Sequence, residues 1–201
     1  MATLALLSYV LYLVLAFGLR TLIQIRRTGA SGFKGVSGRP GTAEWLAGAL
    51  FVVAIFVGFA APVLALADLV EPLGGLDRGG VHAAGIVLFA LGLAATLMAQ
   101  FAMGASWRIG VDESERTDLV TDGPFALSRN PIFAAMIPAS VGLALMAPSV
   151  VAIAGVLALL VALELQVRVV EEPYLLRAHG ARYAAYAARV GRFVPGVGRR
   201  A

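Results

Sequence analysis

The 201-residue sequence contains no cysteine and only two histidines. The absence of cysteine excludes disulfide bonds, thiolate metal ligands and a cysteine nucleophile. His82 and His179 stand far apart in the chain, and neither has neighbouring residues spaced like metal ligands. We therefore expect no zinc site.

Charged residues are also scarce. They make up 14% of the chain, whereas a soluble domain carries about 25%. Apolar residues make up 60%, and the mean hydropathy is +0.86. A soluble fold of this length could not bury so much apolar surface. The composition predicts an integral membrane protein, with lipid covering the remainder.

Long apolar runs indicate how the chain crosses the bilayer. Three of them, at residues 4–25, 45–67 and 81–103, have roughly the 20 residues that span ~30 Å of hydrocarbon. A fourth, at residues 131–163, is too long for one span, and Pro148 at its middle predicts a turn. We expect five transmembrane helices in an all-α fold, the last two forming a hairpin.

The hairpin arms are predicted at residues 132–147 and 150–168, and a helical tail follows them. The first arm would be only ~24 Å long at ~1.5 Å per residue, so it is expected to tilt or to cross incompletely. In the tail, Glu172 and Pro173 are typical of a helix start, and Gly180 of a helix end. A last short helix is predicted at residues 181–190. Residues 1–103 would then hold three helices, and residues 104–201 the loop, hairpin and tail.

The positions of the basic residues predict the orientation. Fifteen of the sixteen lysines and arginines fall on one side of a five-helix arrangement, and Arg78 is the exception. Basic loops stay in the cytoplasm. We expect the N-terminus outside and the C-terminal tail in the cytoplasm, in a multi-pass protein of the cell inner membrane.

One polar segment lies directly before the fourth apolar run. It contains Asp122 to Phe125 and then Arg129, Asn130 and Pro131. It could be a simple turn with Arg129 as a topology anchor. Alternatively, a helix N-terminus here could offer free N–H groups to an anion, and Arg129 could bind a carboxylate with both arms of its guanidinium.

Two further polar segments flank the helices. Glu171 and Glu172 could be merely solvated, but Glu164 nearby would be costly in lipid unless it faces protein or water. This favours a polar pocket where the hairpin meets the tail. Trp107 and Arg108, after the third helix, could be ordinary interfacial anchors.

Taken in order, these segments resemble the isoprenylcysteine carboxyl methyltransferase and phospholipid methyltransferase family. The resemblance covers about residues 104–195, and the first two helices contribute only apolarity. The motifs that carry it are Gly104-x-x-Trp107-Arg108, an acidic loop at 112–118, Gly123-Pro124-Phe125, Arg129-x-Pro131-x-Phe133, Glu171-Glu172, Gly180-x-x-Tyr183-x-x-Tyr186 and Arg192-Phe193-Val194-Pro195.

The resemblance implies that S-adenosylmethionine binds at the cytoplasmic face and that a lipid-like acceptor enters from the bilayer. The reacting group would be a carboxylate of the prenylcysteine type or a lipid amine. The family usually has histidine where this chain has Asn130, which puts a general-base role at that position in doubt. The cofactor-binding residues implied are Gly123, Pro124, Phe125, Arg129, Asn130, Pro131, Phe133, Glu171, Glu172, Tyr183 and Tyr186.

The resemblance also leads us to expect a specific role for several of these residues. Arg129 would hold the cofactor carboxylate, and Glu171 or Glu172 its amino or ribose groups. Arg192, with Arg108 as the second choice, would face an anionic acceptor, so Arg192, Arg108 and Glu172 are the expected catalytic residues. Such an enzyme acts mainly by positioning the reactants and excluding water. No metal and no nucleic acid is expected.

Two other functions remain open on the sequence. Membrane reductases of the sterol-reductase type have similar C-terminal helices and would bind NADPH, but they generally have more helices. A non-enzymatic scaffold or small transporter would not explain an ordered set of polar motifs.

Overall fold

The computed structural model describes residues 1–110 and 118–200. Within these ranges every regular element is a helix, and the only strand-like pairings are two isolated bridges. The all-α prediction is therefore confirmed for the described chain. Asp112, Glu113 and Glu115 of the expected acidic loop lie outside the described residues.

Six main helices follow one another along the described chain. Four are long and apolar enough to cross a membrane, and the fourth in order, with 16 residues, is shorter. Five complete crossings therefore remain a prediction. The helices are α1 (Ala2–Thr28), α2 (Ala43–Leu66), α3 (Gly79–Ala102), α4 (Pro131–Met146), α5 (Val150–His179) and α6 (Ala181–Arg189). Short 3₁₀ helices at Gly104–Ser106 and Gly123–Ala126 lie between α3 and α4.

The predicted hairpin is present. α4 ends at Met146, and α5 starts after Ser149, whose hydroxyl accepts a hydrogen bond from the Ala152 N–H at 3.2 Å. Pro148 lies in the turn between them, where no helical N–H is required. Serine at this position satisfies one of the free N–H groups of the new helix.

An α-helical segment, Glu172–His179, begins at the predicted residue, but it continues α5 and is not a separate helix. Glu172 has helical dihedral angles (φ −61°, ψ −44°), and α5 continues through it to His179. A π-helical stretch, Gln166–Glu171, precedes it. Its wider turns disrupt the ordinary i to i−4 ladder, so Pro173 can follow without breaking the helix. Gly180, with φ +51°, ends α5 as predicted.

α1 and α3 run in the same direction, joined by polar contacts. Each contact pairs residues separated by the same 84 positions, which is possible only if the two helices are parallel. The predicted topology gives the first and third helices this common direction. The contacts are Tyr12 with Thr96 (3.1 Å), Ala16 with Gln100 (2.9 Å) and Arg20 with Gly104.

Small residues bring neighbouring helices close together. A Cβ added at Gly92 of α3 would lie 2.9 Å from the Cβ of Ala139 in α4, and one at Gly155 of α5 would lie 3.2 Å from the Cα of Gly58 in α2. Such close backbone packing is typical of helices in lipid. The space left among the helices forms the site described next.

Candidate active site

A cavity of about 320 Å³ lies among the helices α1 to α6 and the loops that follow α1 and α3. This volume falls within the ~300–1,000 Å³ typical of small-molecule sites. One part of its wall is polar. There the guanidinium carbon of Arg108 lies 4.7 Å from the centre of the Tyr174 ring. The other polar residues of this wall include Asn130, Gln166, Glu171, Tyr183 and Tyr186.

The remaining wall is apolar and leads inward. Phe51 and Val52 of α2 lie in it. A second, smaller cavity of about 70 Å³ lies between α1, α2, α4 and α5 and is almost entirely apolar in its lining. Four residues line both cavities, so the two adjoin. They are Tyr12, Phe17, Ile55 and Met136.

The structure brings most of the predicted site residues to this cavity. Gly123, Pro124, Glu172 and Arg192 are not among the residues that line it. The predicted residues that do line it are Arg108, Phe125, Arg129, Asn130, Pro131, Phe133, Glu171, Tyr183 and Tyr186.

The terminal nitrogens of Arg129 are occupied by the protein itself. Nη2 donates to Glu172 Oε1 at 2.6 Å and to the Gly198 carbonyl at 3.1 Å. Nη1 donates to the carbonyls of Ala187 at 2.7 Å and Val190 at 3.0 Å. The Arg129 and Glu172 side chains are only 1% and 4% exposed. The structure therefore shows the terminal nitrogens of Arg129 holding the tail, while its buried Nε has no hydrogen-bond partner and the residue lines the cavity. Its binding of a cofactor carboxylate stays a prediction.

Glu172 is the centre of a cluster of arginines. Arg192 Nε lies 2.8 Å from Oε1 and its Nη2 lies 3.1 Å from Oε2, while Arg200 Nη1 approaches Oε2 at 3.5 Å. The hydrogen bond to Glu172 raises the pKa of Arg192. A buried carboxylate requires such partners. Glu172 and Arg192 thus bind each other, and neither is among the residues that line the cavity. Their expected contact with the reactants stays a prediction.

Asn130 links the same tail to the start of α4. Its Nδ2 donates to the Arg192 carbonyl at 3.0 Å, and its backbone N–H donates to the same oxygen at 3.1 Å. The Ser128 hydroxyl donates there as well, at 3.1 Å. Asn130 is 8% exposed and lines the cavity. It can therefore shape the site through the tail.

Two tyrosines of α6 complete this side of the cavity. The Tyr186 hydroxyl donates to the Phe125 carbonyl at 2.6 Å, and the Tyr183 and Tyr186 rings are 6.1 Å apart. Burial raises the pKa of Tyr186 to about 12 and also raises the pKa of Tyr183. Both hydroxyls stay protonated at neutral pH, which keeps Tyr186 a donor.

Trp107 is a cavity residue that the sequence interpretation treated as a possible interfacial anchor. It is 2% exposed and lines the cavity, with the guanidinium carbon of Arg20 4.5 Å from the centre of its ring. Arg20 itself is 1% exposed. An arginine near the end of a long apolar run resembles a topology anchor, so sequence alone gives no signal of this packing.

The glycine-rich segment after α1 is a second feature that sequence reasoning undervalued. Glycine recurs at every third position from Gly29 to Gly41, always with positive φ. The segment pairs with the loop after α3, since Ile109 N–H donates to the Gly32 carbonyl at 2.8 Å. A Cβ at Gly32 would lie 3.1 Å from the Trp107 carbonyl oxygen. This glycine-rich segment therefore forms part of the cavity wall, through Phe33, Gly35, Val36 and Ser37.

The Glu164 side chain lines neither of the two cavities described above. It forms an ion pair with Arg168, and the two side chains are 46% and 57% exposed. The larger cavity, at the junction of hairpin and tail, is instead lined by Glu171, which lies seven residues further along the same helix.

Comparisons with known proteins agree with this arrangement. The family model described as phospholipid methyltransferase matches residues 81–182, about half of the chain. No curated protein matches. Among solved structures, the fold is similar to that of a eukaryotic intramembrane Ras methyltransferase, isoprenylcysteine carboxyl methyltransferase, with a TM-score of 0.66 and 20% identity over 96% of this chain and 67% of that one. The predicted resemblance is confirmed, and the chain belongs to the phospholipid methyltransferase family of membrane methyltransferases.

Proposed function

We propose that this protein transfers a methyl group from S-adenosylmethionine to a lipid-like acceptor. The observation that carries the proposal is one cavity with a polar wall at the junction of α5 and the tail and an apolar wall that adjoins a second cavity among the helices. A polar cofactor and an apolar acceptor would each find complementary surface there.

The residues on the polar wall fit the cofactor. Glu171 offers a carboxylate for an amino or ribose group, and Arg108 lies in the same wall with a guanidinium suited to a carboxylate. Tyr183 and Tyr186 provide ring faces beside them. Arg129 and Glu172, bonded to each other, would hold the tail that forms this wall.

The chemistry requires little from the protein beyond positioning. A bound S-adenosylmethionine supplies a methyl group on a positively charged sulfur. The acceptor oxygen or nitrogen forms a bond to that carbon as the carbon–sulfur bond breaks, which leaves S-adenosylhomocysteine. A carboxylate acceptor needs no base, whereas an ammonium must first lose a proton, for which the cavity wall offers the carboxylates of Glu171 and Asp118. The walls would align the reactants and exclude water.

The cofactor is tested by calorimetric titration of the protein in lipid nanodiscs. S-adenosylhomocysteine should bind and NADPH should not. Incubation with methyl-labelled S-adenosylmethionine and a total lipid extract should transfer the label to a lipid-soluble product. Binding of NADPH in place of S-adenosylhomocysteine would overturn the proposal in favour of a reductase.

A further inference from the structure

Gln100 on α3 has a buried amide oxygen with no hydrogen-bond partner. The residue is 3% exposed and lines the cavity beside Ala16, Phe17 and Met103. Its Nε2 donates to the Ala16 carbonyl at 2.9 Å. The opposite orientation of the amide would place two oxygens together, so the oxygen is the free atom.

A second buried glutamine, at the same contact between α1 and the α3 region, provides the comparison. Gln24 on α1 is 4% exposed, and its Nε2 donates to the Ala105 carbonyl at 2.7 Å. Its Oε1 accepts from Arg20 at 3.0 Å, so both ends of that amide are used. Gln24 does not line the cavity. Of these two buried amides, only Gln100 leaves an acceptor open, and it does so at the cavity.

A buried acceptor without a partner is costly, and in native proteins it usually marks a water or a ligand. A carboxamide oxygen can only accept, so a ligand at this point must offer an N–H or O–H group. Within the cavity Gln100 contacts Ala16 of α1, whose other lining residues are Tyr12 and Phe17. The groups suited to the cofactor lie on α5 and α6 or, in the case of Arg108, against the Tyr174 ring of α5. The ligand beside Gln100 is accordingly the methyl acceptor.

We propose that the amide oxygen of Gln100 accepts a hydrogen bond from an N–H group of the methyl acceptor and so selects acceptors that carry one on or beside the reacting atom. The proposal rests on the proposed methyl transfer. Both acceptor classes have this group. A prenylcysteine in peptide linkage has an amide N–H next to its carboxylate, and a lipid amine has an ammonium.

The test compares wild type, Gln100→Met and the matched control Gln24→Met, all in nanodiscs. Methionine keeps the length of glutamine and removes both polar atoms. Two pairs of probes are used, and in each pair only the first member carries the N–H group. N-acetyl-S-farnesylcysteine is compared with S-farnesylthiopropionate, which lacks the amide, and phosphatidylethanolamine bilayers are compared with phosphatidylcholine bilayers. Binding is measured as the rise in unfolding temperature, which does not depend on turnover.

We expect one N–H-bearing probe to stabilise wild type and Gln24→Met more than its donor-free counterpart does, with this difference lost in Gln100→Met. Such a difference within the farnesyl pair would indicate a carboxylate acceptor. A difference within the bilayer pair would indicate a lipid amine. If the probe is methylated, its kcat/KM should fall about tenfold in Gln100→Met, the effect of one lost hydrogen bond to a charged or desolvated donor.

Three outcomes would overturn the proposal. One is equal stabilisation by both members of each pair in wild type. Another is an unchanged difference in Gln100→Met, which would leave only an enclosed water at the amide. The third is a tenfold loss of S-adenosylhomocysteine affinity in Gln100→Met with acceptor binding intact, since the donor would then belong to the cofactor. Failure of wild type to bind S-adenosylhomocysteine would instead refute the proposed function.

Discussion

Arg129 Nη2 and Glu172 Oε1 lie 2.6 Å apart, although the two residues are 43 positions apart in the chain. The contact joins the segment before α4 to the last turns of α5, and the same guanidinium donates hydrogen bonds to three backbone carbonyls of the tail. The Arg129–Glu172 pair therefore supports the cavity wall. The effect of removing either residue can be measured on stability and on ligand binding.

Arg129→Met should destabilise the fold because it leaves Glu172 buried with fewer partners. Removing one member of a buried pair costs about 3–5 kcal/mol. The loss should appear in reversible unfolding in mixed detergent. Arg168→Met, which breaks the exposed pair with Glu164, serves as the control and should cost about 0–1 kcal/mol. Equal effects of the two substitutions would contradict the supporting role of Arg129.

Glu171→Gln and Glu172→Gln should give different results although the residues are adjacent. Glu171 lines the cavity, so its loss should weaken S-adenosylhomocysteine binding about ten- to a hundredfold by calorimetry, with the unfolding temperature nearly unchanged. Glu172 holds three arginines, so its loss should chiefly lower the unfolding temperature. A reversed pattern would show that Glu172 faces the ligand.

Asn130→His should be tolerated. Histidine can keep a donor near the Arg192 carbonyl, which the Asn130 side chain contacts at 3.0 Å. Because the residue acts through the tail, turnover should change modestly and show no new pH dependence near the ~6.5 of a free histidine. Asn130→Ala should raise the cofactor KM more than it lowers kcat. A large gain in turnover with a neutral-pH titration in Asn130→His would instead indicate a general base.

Reporter fusions test the orientation. Fusions after Gly35 and after Ala201 should report the cytoplasm, and one at Gly75 should report the outer side. The reason is that fifteen of the sixteen basic residues lie on the predicted cytoplasmic side. The assay is paired alkaline phosphatase and fluorescent-protein activity. A C-terminal fusion active on the outer side would contradict five crossings.

Much of the architecture could be predicted from local sequence. Apolar runs of about 20 residues require helices in lipid, since every backbone group there must be satisfied within the helix. Pro148 and Ser149 specify the turn and the helix start that separate α4 from α5. Gly180 specifies where α5 ends. Each of these features depends on a few consecutive residues, which is why sequence was sufficient.

The assignment of adjacent side chains to opposite environments required the tertiary structure. Successive helical residues point about 100° apart, as ~3.6 residues complete a turn. The π-helical stretch Gln166–Glu171 changes the angle between successive side chains directly before Glu172, and no sequence pattern predicted it. Only the folded chain shows that Glu171 faces the cavity while Glu172 faces Arg129.

The sequence by itself determined a helical membrane protein, its hairpin and the family motifs, because hydropathy, proline and glycine act locally. The tertiary structure decided which motif residues line the cavity, and that the glycine-rich segment and Gln100 join them. These positions depend on contacts between residues as far apart as Ala16 and Gln100, and on which hydrogen-bonding groups those contacts leave open.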